Sequence, residues 1–349
     1  MNVYYFKPEV YAERYNCSGF TREEWFKFGT AYPVVGFGII VLGIILELMY
    51  LPFVITMLQP KFLDNSCYKL MFVLGVQDVI AIYDGGIVTG YLTMQGAVFC
   101  THPKMIYFTG MIGIALWFTS CVTCMLLTLN RLLDVYFPSV FYKLFEGWRT
   151  WVWALIPLSV FSWITFFEPP LIFQSRYISW FFYPYYGMNL PIDPAYYRCT
   201  AHVVNNITVI IVLCMGNGFI YWHVHKVTRG GARKLSHTAK MQRRLLLQVG
   251  IICLLNVMCS SIYVFMQFVA SPPWLTLLGS MTYTLNTGAL AITYLLLNKT
   301  LRHAAVAIFL PESLLARFSK ASITDAPINS VSHSHKKSKI GTDTYIEAI

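Results

Sequence analysis

The sequence predicts an all-α membrane protein, a seven-transmembrane helix bundle with its N-terminus outside the cell and a short amphipathic helix after the seventh span. The first reason is composition, because 56% of the residues are hydrophobic and only 12% are charged, whereas soluble domains carry about 25% charge. The second reason is a set of seven long apolar stretches, each near the roughly 20 residues that a helix needs to cross a bilayer. One membrane domain therefore accounts for most of the 349 residues.

The apolar stretches are separated by short loops and lie at 31–58, 69–93, 105–129, 148–173, 200–224, 244–269 and 275–297. They divide the chain into an extracellular N-terminal segment (1–30), the bundle (31–298), a membrane-surface helix (299–311) and a cytoplasmic tail (312–349). The first part is polar and aromatic without an apolar core, so it is not predicted to be a signal peptide. The tail is rich in Ser, Thr and Lys, and we expect it to be disordered.

Basic residues predict the orientation, because Lys and Arg concentrate in cytoplasmic loops. The loops after spans one, three and five carry Lys61, then Lys143 and Arg149, then seven basic residues between Lys226 and Arg244. The other three loops carry fewer. The basic run lies between apolar spans, so we expect it to face anionic lipid and do not expect it to bind nucleic acid.

Three cysteines fall on the predicted outer side, where oxidation is permitted. Cys100 and Cys199 precede spans three and five, which should be neighbours, and we expect a disulfide between them. Cys17 is a third outer cysteine, so this pairing is not unique. Asn16 begins an Asn-Cys-Ser sequon, which predicts a glycosylation site if this end is outside.

A group of polar residues falls inside the spans at related depths. Asp78 lies in span two, and a carboxylate in apolar surroundings needs a cation, a proton or hydrogen-bond partners. Ser120 in span three and Asn286 in span seven are candidate companions. Two interpretations stay equally open, a small polar pocket that holds a sodium ion, or a protonated aspartic acid satisfied by its neighbours.

Arg131 ends span three on the predicted cytoplasmic side. A guanidinium carries five donors, so it can bond the backbone carbonyls of an inserted partner helix or pair with an acid of the bundle. The alternative is an anchor at the membrane interface. With seven spans around it, we favour a switch.

The outer loop between spans four and five is strongly aromatic and predicts a lid over a small apolar ligand, although an interfacial aromatic belt explains part of it. The candidate ligand-binding residues are Asp84, Trp180, Tyr183, His202, Asn206, Tyr263, Gln267 and Tyr283. Each residue singly is equally compatible with a structural role.

Motifs of enzymes are missing from the sequence. It contains no HExxH, GxSxG or P-loop pattern, and its histidines are dispersed. Cys121 and Cys124 form a Cys-x-x-Cys pair, but they lie in an apolar span without His or Cys partners nearby, so we do not predict a metal site. We therefore predict neither an enzyme nor a cofactor, apart from the sodium ion considered above.

The chain over 1–318 resembles the rhodopsin-like G-protein-coupled receptors, and more closely the nematode serpentine chemoreceptors of class T. The segments that carry this resemblance are Tyr15-Asn16-Cys17-Ser18, Glu24-Trp25, Leu48-Met49-Tyr50-Leu51-Pro52, Ser66-Cys67-Tyr68-Lys69-Leu70-Met71, Gly75-Val76-Gln77-Asp78 and Asn130-Arg131.

The resemblance implies a role for several of these residues. Asp78 matches the sodium-site aspartate of rhodopsin-like receptors, with Ser120 and Asn286 as its companions. Arg131 matches the arginine of the Asp-Arg-Tyr motif, and Tyr294 matches the tyrosine of the Asn-Pro-x-x-Tyr motif.

The sequence also departs from that pattern. Asn130 replaces the acid before the arginine, and Asp134, one turn on, is the substitute we consider. Span six begins without an acid, so the usual lock to Arg131 cannot form. Spans five and six lack interior proline, and Leu290-Ala291 replaces the Asn-Pro of span seven.

The resemblance implies a receptor that detects a small, odorant-like molecule and activates a heterotrimeric G protein, with a receptor kinase and arrestin acting on the tail. It implies the plasma membrane, in particular the ciliary membrane of sensory neurons. Three alternatives stay open: a receptor for an internal neuropeptide or hormone, a ligand-gated channel or transporter, and a receptor-like protein that no longer signals. We find no repeat between the two halves, which disfavours a transporter.

Overall fold

The computed structural model describes residues 2–190, 192–230, 251, 254–269 and 271–309. The chain begins with three short helices, α1 (Val3–Phe6), α2 (Pro8–Arg14) and α3 (Arg22–Phe26). The helices that follow, up to the fourth span, are α4 (Pro33–Met57), α5 (Pro60–Leu63), α6 (Ser66–Ile82), α7 (Thr89–Gln95), α8 (Pro103–Tyr136), α9 (Pro138–Phe145) and α10 (Arg149–Phe167). After a two-stranded hairpin, the remaining helices are α11 (Thr200–Gly230), α12 (Leu254–Phe268), α13 (Pro273–Leu297) and α14 (Lys299–Phe309).

Five stretches of helix in the described residues are long and apolar enough to cross a membrane, and they match the first five predicted spans. They are Pro33–Met57, Ser66–Gln95, Pro103–Tyr136, Arg149–Phe167 and Thr200–His223. The sixth predicted span lies partly outside the described residues, and α12 is its described part. The seventh corresponds to α13, whose 25 residues extend about 37 Å.

The helix α14 follows α13 directly, where the membrane-surface helix was predicted. It buries Leu301, Ala304 and Ala305 in an apolar cluster with side chains of α4 and α6. The tail at 312–349 and most of the basic loop lie outside the described residues.

The bundle is organised around α8. This helix has 34 residues, so it extends about 51 Å, and it contacts α6, α10 and α11. The second span is not one regular helix. It begins at Asn65, whose side chain accepts a hydrogen bond from the Cys67 amide, and passes through a π-helical turn at Tyr83–Val88. It ends at Gly96, which takes the left-handed conformation that glycine adopts without steric cost.

The N-terminal segment is folded, and it covers one end of the bundle. Trp25 is only 3% exposed, and it packs in an aromatic cluster with Tyr15, Phe99 and Tyr185. The Tyr185 hydroxyl donates to the Asn16 carbonyl at 2.8 Å. We call this covered end the N-terminal end of the bundle. The orientation of the bundle in the membrane remains a prediction.

The loop between α10 and α11 completes this cover. Its strands β1 (Ile172–Gln174) and β2 (Ser179–Phe181) form an antiparallel hairpin in which Ile172 faces Phe181. Both strands are largely buried, so the hairpin lies over the bundle, and its role as a lid for a ligand stays a prediction.

The expected disulfide between Cys100 and Cys199 is wrong, because Cys100 is bonded to Cys17 across a Cα–Cα distance of 5.4 Å. The folded N-terminal segment brings Cys17 to Cys100, and the sequence interpretation had assigned no fold to that segment. Cys199 instead donates its thiol hydrogen to a Glu168 carboxylate oxygen at 3.3 Å. Burial, followed by the nearby Glu168 charge, raises the pKa of the Cys199 thiol to about 12. It therefore stays protonated and unreactive at neutral pH.

Candidate ligand-binding site

A small cavity lies beneath the hairpin and is lined by residues of the second, third, fifth, sixth and seventh spans. Five of the eight predicted ligand-binding residues line it: Asp84, Trp180, His202, Tyr263 and Tyr283. They come from four different helices and the loop, so they meet only in the folded bundle. Their placement around one cavity is compatible with ligand binding, which remains a prediction.

The other three predicted residues lie elsewhere. Asn206 and Gln267 both hydrogen-bond to His202 without lining the cavity. Tyr183 packs in the aromatic cluster of the N-terminal end and donates its hydroxyl to the Ile192 carbonyl at 3.2 Å. These three residues therefore support the wall and cover of the cavity from behind.

A chain of hydrogen bonds holds His202 in one tautomer. The Trp117 indole N–H donates to Asn206 Oδ1 at 2.8 Å, and Asn206 Nδ2 donates to His202 Nε2 at 3.2 Å. His202 Nδ1 then donates to Gln267 Oε1 at 3.3 Å, and Gln267 Nε2 donates to the Cys199 carbonyl at 3.0 Å. Since Nε2 accepts a hydrogen bond, the imidazole is neutral.

Asp84 is placed by the π-helical turn of the second span. π-Bulges reorient side chains and are frequent at functional sites. The Asp84 side chain is 8% exposed, and its Oδ1 has no hydrogen-bond partner among the described residues. Gly113 on α8 provides the space, because a Cβ there would lie 2.5 Å from Asp84 Oδ2. An ionisable group with an unsatisfied atom inside a membrane bundle is costly, which suggests a functional role.

Several lining residues were missed by the sequence interpretation, namely Thr89, Gly110, Gly113, Trp117, Ser280 and Thr284. Trp117 was the most detectable of them, because it lies one turn before Ser120 on the same helix, which had already been singled out. The Ser and Thr residues carried no such signal, since hydroxyls commonly bond their own helix.

The cavity volume is about 50 Å³. For comparison, an apolar cavity of about 150 Å³ holds benzene. The described conformation therefore admits a molecule with only a few non-hydrogen atoms. A larger ligand would need the aromatic walls or the hairpin to move.

The predicted sodium pocket has different partners from those expected. The Tyr50 hydroxyl donates to Asp78 Oδ2 at 2.7 Å, whereas the Ser120 hydroxyl donates to its own helix at the Leu116 carbonyl. Asn286 Oδ1 is buried and unpartnered among the described residues. A cation or a water molecule would satisfy that oxygen, so the group fits a small ion in part, and sodium binding stays a prediction.

The predicted switch residues meet at the end of the bundle opposite the N-terminal end. Arg131 interacts electrostatically with Cys67, Tyr68 and Tyr294, and the Tyr294 ring packs at 5.8 Å from that of Phe53. The Tyr294 hydroxyl is buried and has no hydrogen-bond partner in the described part of the chain. The geometry thus brings Arg131 and Tyr294 together, as the resemblance implies.

The acid substitute at Asp134 is not supported. Asp134 makes no ion pair with Arg131 among the described residues. Asn130 is turned the other way, and its amide donates to the Ser66 hydroxyl at 3.0 Å.

Comparison with known proteins agrees with this architecture. Residues 1–318 match the sequence profile of the family described as "Serpentine type 7TM GPCR chemoreceptor Srt". A Caenorhabditis elegans relative, serpentine receptor class T-55, is 23% identical over 294 residues, which cover 83% of this chain and 78% of the relative. This is a family of receptors and not of enzymes. With its bundle of apolar helices, the chain is a multi-pass membrane protein that belongs to the Srt family of serpentine chemoreceptors.

Proposed function

We propose that this receptor binds a small, odorant-like molecule in the cavity beneath the hairpin and activates a heterotrimeric G protein. The observation that carries the proposal is the cavity itself, which is enclosed by aromatic rings and contains a few polar groups, as ligand sites are. The N-terminal segment and the hairpin cover the cavity, so we expect that only small molecules can enter it.

The helix α8 offers a physical connection between the two ends. Trp117 lines the cavity, and Arg131 lies 14 residues further along the same helix, a distance of about 21 Å. A ligand that packs better against one position of α8 would favour that position over others. A small rotation or shift of α8 would then move Arg131 relative to Tyr68 and Tyr294.

The G protein would dock at the Arg131 end, together with the basic loop after α11. The neuronal ciliary membrane, a receptor kinase and arrestin belong to the same proposal and rest on the family alone. The proposal of a bound sodium ion is supported by the Asn286 side-chain oxygen, which has no hydrogen-bond partner among the described residues.

The test is nucleotide exchange on a purified G protein, catalysed by the full-length receptor in membranes, with a panel of small odorants. We expect at least one compound to accelerate exchange, and Arg131→Ala to reduce that acceleration about tenfold, because hydrogen bonds to charged groups contribute roughly 1.5–3 kcal/mol. The matched control is Arg149→Ala, since the Arg149 side chain is exposed and donates to the nearby Tyr142 carbonyl.

A ligand-evoked current that persists without G protein would contradict the proposal and favour a ligand-gated channel. Activation by a peptide, without any response to small molecules, would favour the neuropeptide alternative.

A further inference from the structure

We infer that the cavity selects small amines, whose protonated nitrogen donates a hydrogen bond to Asp84. The inference rests on the proposed function only in using the same cavity as the ligand site. It does not depend on coupling to a G protein.

The cavity presents the carboxylate of Asp84 to a ligand. Asp84 Oδ1 is buried and has no hydrogen-bond partner in the described part of the chain, and a carboxylate without a counter-charge is costly in apolar surroundings. Among the described residues that line the cavity there is no Lys or Arg. His202 does not provide a cation either, because its Nε2 accepts a hydrogen bond from Asn206. An ammonium group from the ligand would supply both the missing donor and the missing charge.

The walls of the cavity are rich in aromatic rings. Trp117 and Tyr283 approach each other with ring centroids 5.9 Å apart, and both line the cavity with Trp180 and Tyr263. The two tryptophans of the wall already use their indole N–H groups: that of Trp117 donates to Asn206, and that of Trp180 donates to Thr89. The rings therefore contribute π surface instead of donors, and aromatic faces attract cations.

The size of the cavity limits the amines that it can accept. Gly113 leaves room for the Asp84 carboxylate against α8, because an added Cβ would lie 2.5 Å from its Oδ2. The cavity of about 50 Å³ accommodates only a few non-hydrogen atoms. A short alkylamine is a suitable size, whereas a bulky aromatic amine is not.

The experiment measures binding directly on the purified full-length receptor in lipid nanodiscs. The probes are n-propylamine, n-propanol and propionate, which share a carbon skeleton and differ in charge and donor. We expect n-propylamine to raise the thermal unfolding temperature and the other two to have little effect. Asp84→Asn should weaken amine binding roughly thirtyfold or more, as for other buried, hydrogen-bonded charge pairs.

Two further variants separate a binding role from misfolding. Gly113→Ala keeps the charge but displaces the carboxylate, so it should also weaken amine binding. Glu47→Gln is the matched control, because this half-buried acid on α4 does not line the cavity, and it should bind amine as the wild type does. Each ligand-free variant should unfold at the same temperature as the ligand-free wild type, which would show that it folds.

Equal binding of n-propanol and n-propylamine would overturn the inference, because it would mean that Asp84 is protonated and does not attract the ammonium charge. Full amine binding by a folded Asp84→Asn variant, or no shift with any probe, would also overturn it. Amine binding without accelerated nucleotide exchange would support the inference while contradicting the proposed coupling, so the two failures are distinguishable.

Discussion

At the residue scale, the polar residues of the spans were identifiable from sequence, but their partners were not. Asp78 was expected beside Ser120 and Asn286, yet its hydrogen bond comes from Tyr50 on α4. Tyr50 had been noted only as part of a family motif. Which of several buried donors reaches a carboxylate depends on helix rotation, which hydropathy does not specify.

The disulfide gives the first prediction at this scale. Cys17→Ala and Cys100→Ala should each destabilise the receptor by about 2–5 kcal/mol, because a bond between residues 83 apart restricts the unfolded chain. Cys199→Ser should leave the bond intact. The measurements are thermal unfolding under non-reducing conditions and peptide mapping by mass spectrometry. A Cys100–Cys199 peptide in the wild type would contradict the structure.

At the element scale, the second span shows how glycine positions shape a helix pair. Gly86 and Gly90 lie one turn apart and approach Gly43 and Gly36 of α4, where a Cβ on Gly86 would lie 2.8 Å from the Gly43 Cα. Small residues let helix backbones approach closely within membranes. The same span contains the π-helical turn that carries Asp84, so the close contact also helps to position the cavity.

This contact gives the second prediction. Gly86→Ala and Gly90→Ala should each lower stability by about 1–3 kcal/mol, since overpacking forces the helices apart. Gly38→Ala on α4 is the matched control, because nothing lies within 4 Å of its added Cβ. Thermal unfolding of the purified receptor is the measurement. Equal stability of all three variants would show that α4 and the second span are not in close contact.

At the scale of the whole molecule, the covered N-terminal end contrasts with the weakly restrained opposite end. Arg131 lies beside Cys67, Tyr68 and Tyr294 and makes no ion pair among the described residues. Without a salt bridge to Arg131, the inactive state lacks one restraint that an acid provides in the rhodopsin-like pattern. We therefore expect appreciable basal activity.

The third prediction tests this restraint. The receptor without ligand should accelerate nucleotide exchange above the rate of membranes that lack it. Cys67→Asp, which places an acid against Arg131, should lower that basal rate by up to about fivefold, the scale of a partly exposed ion pair. Identical rates with and without receptor would contradict the expectation of basal activity.

The sequence by itself determined the class of protein, the order of its spans and the residues worth examining. These properties follow from hydropathy and from local motifs, which each segment carries whatever its neighbours do. Asp84 and His202 were recognisable in this way, since a polar residue inside a span is conspicuous.

Only the tertiary structure decided which residues meet. It paired Cys100 with Cys17, placed Trp117 in the cavity wall, and left Asp84 Oδ1 without a hydrogen-bond partner among the described residues. Such contacts join residues that are far apart in the chain, and they depend on helix rotation, on where glycines permit close approach and on how the N-terminal segment folds back. Those quantities are set by packing across the whole bundle, which no single segment encodes.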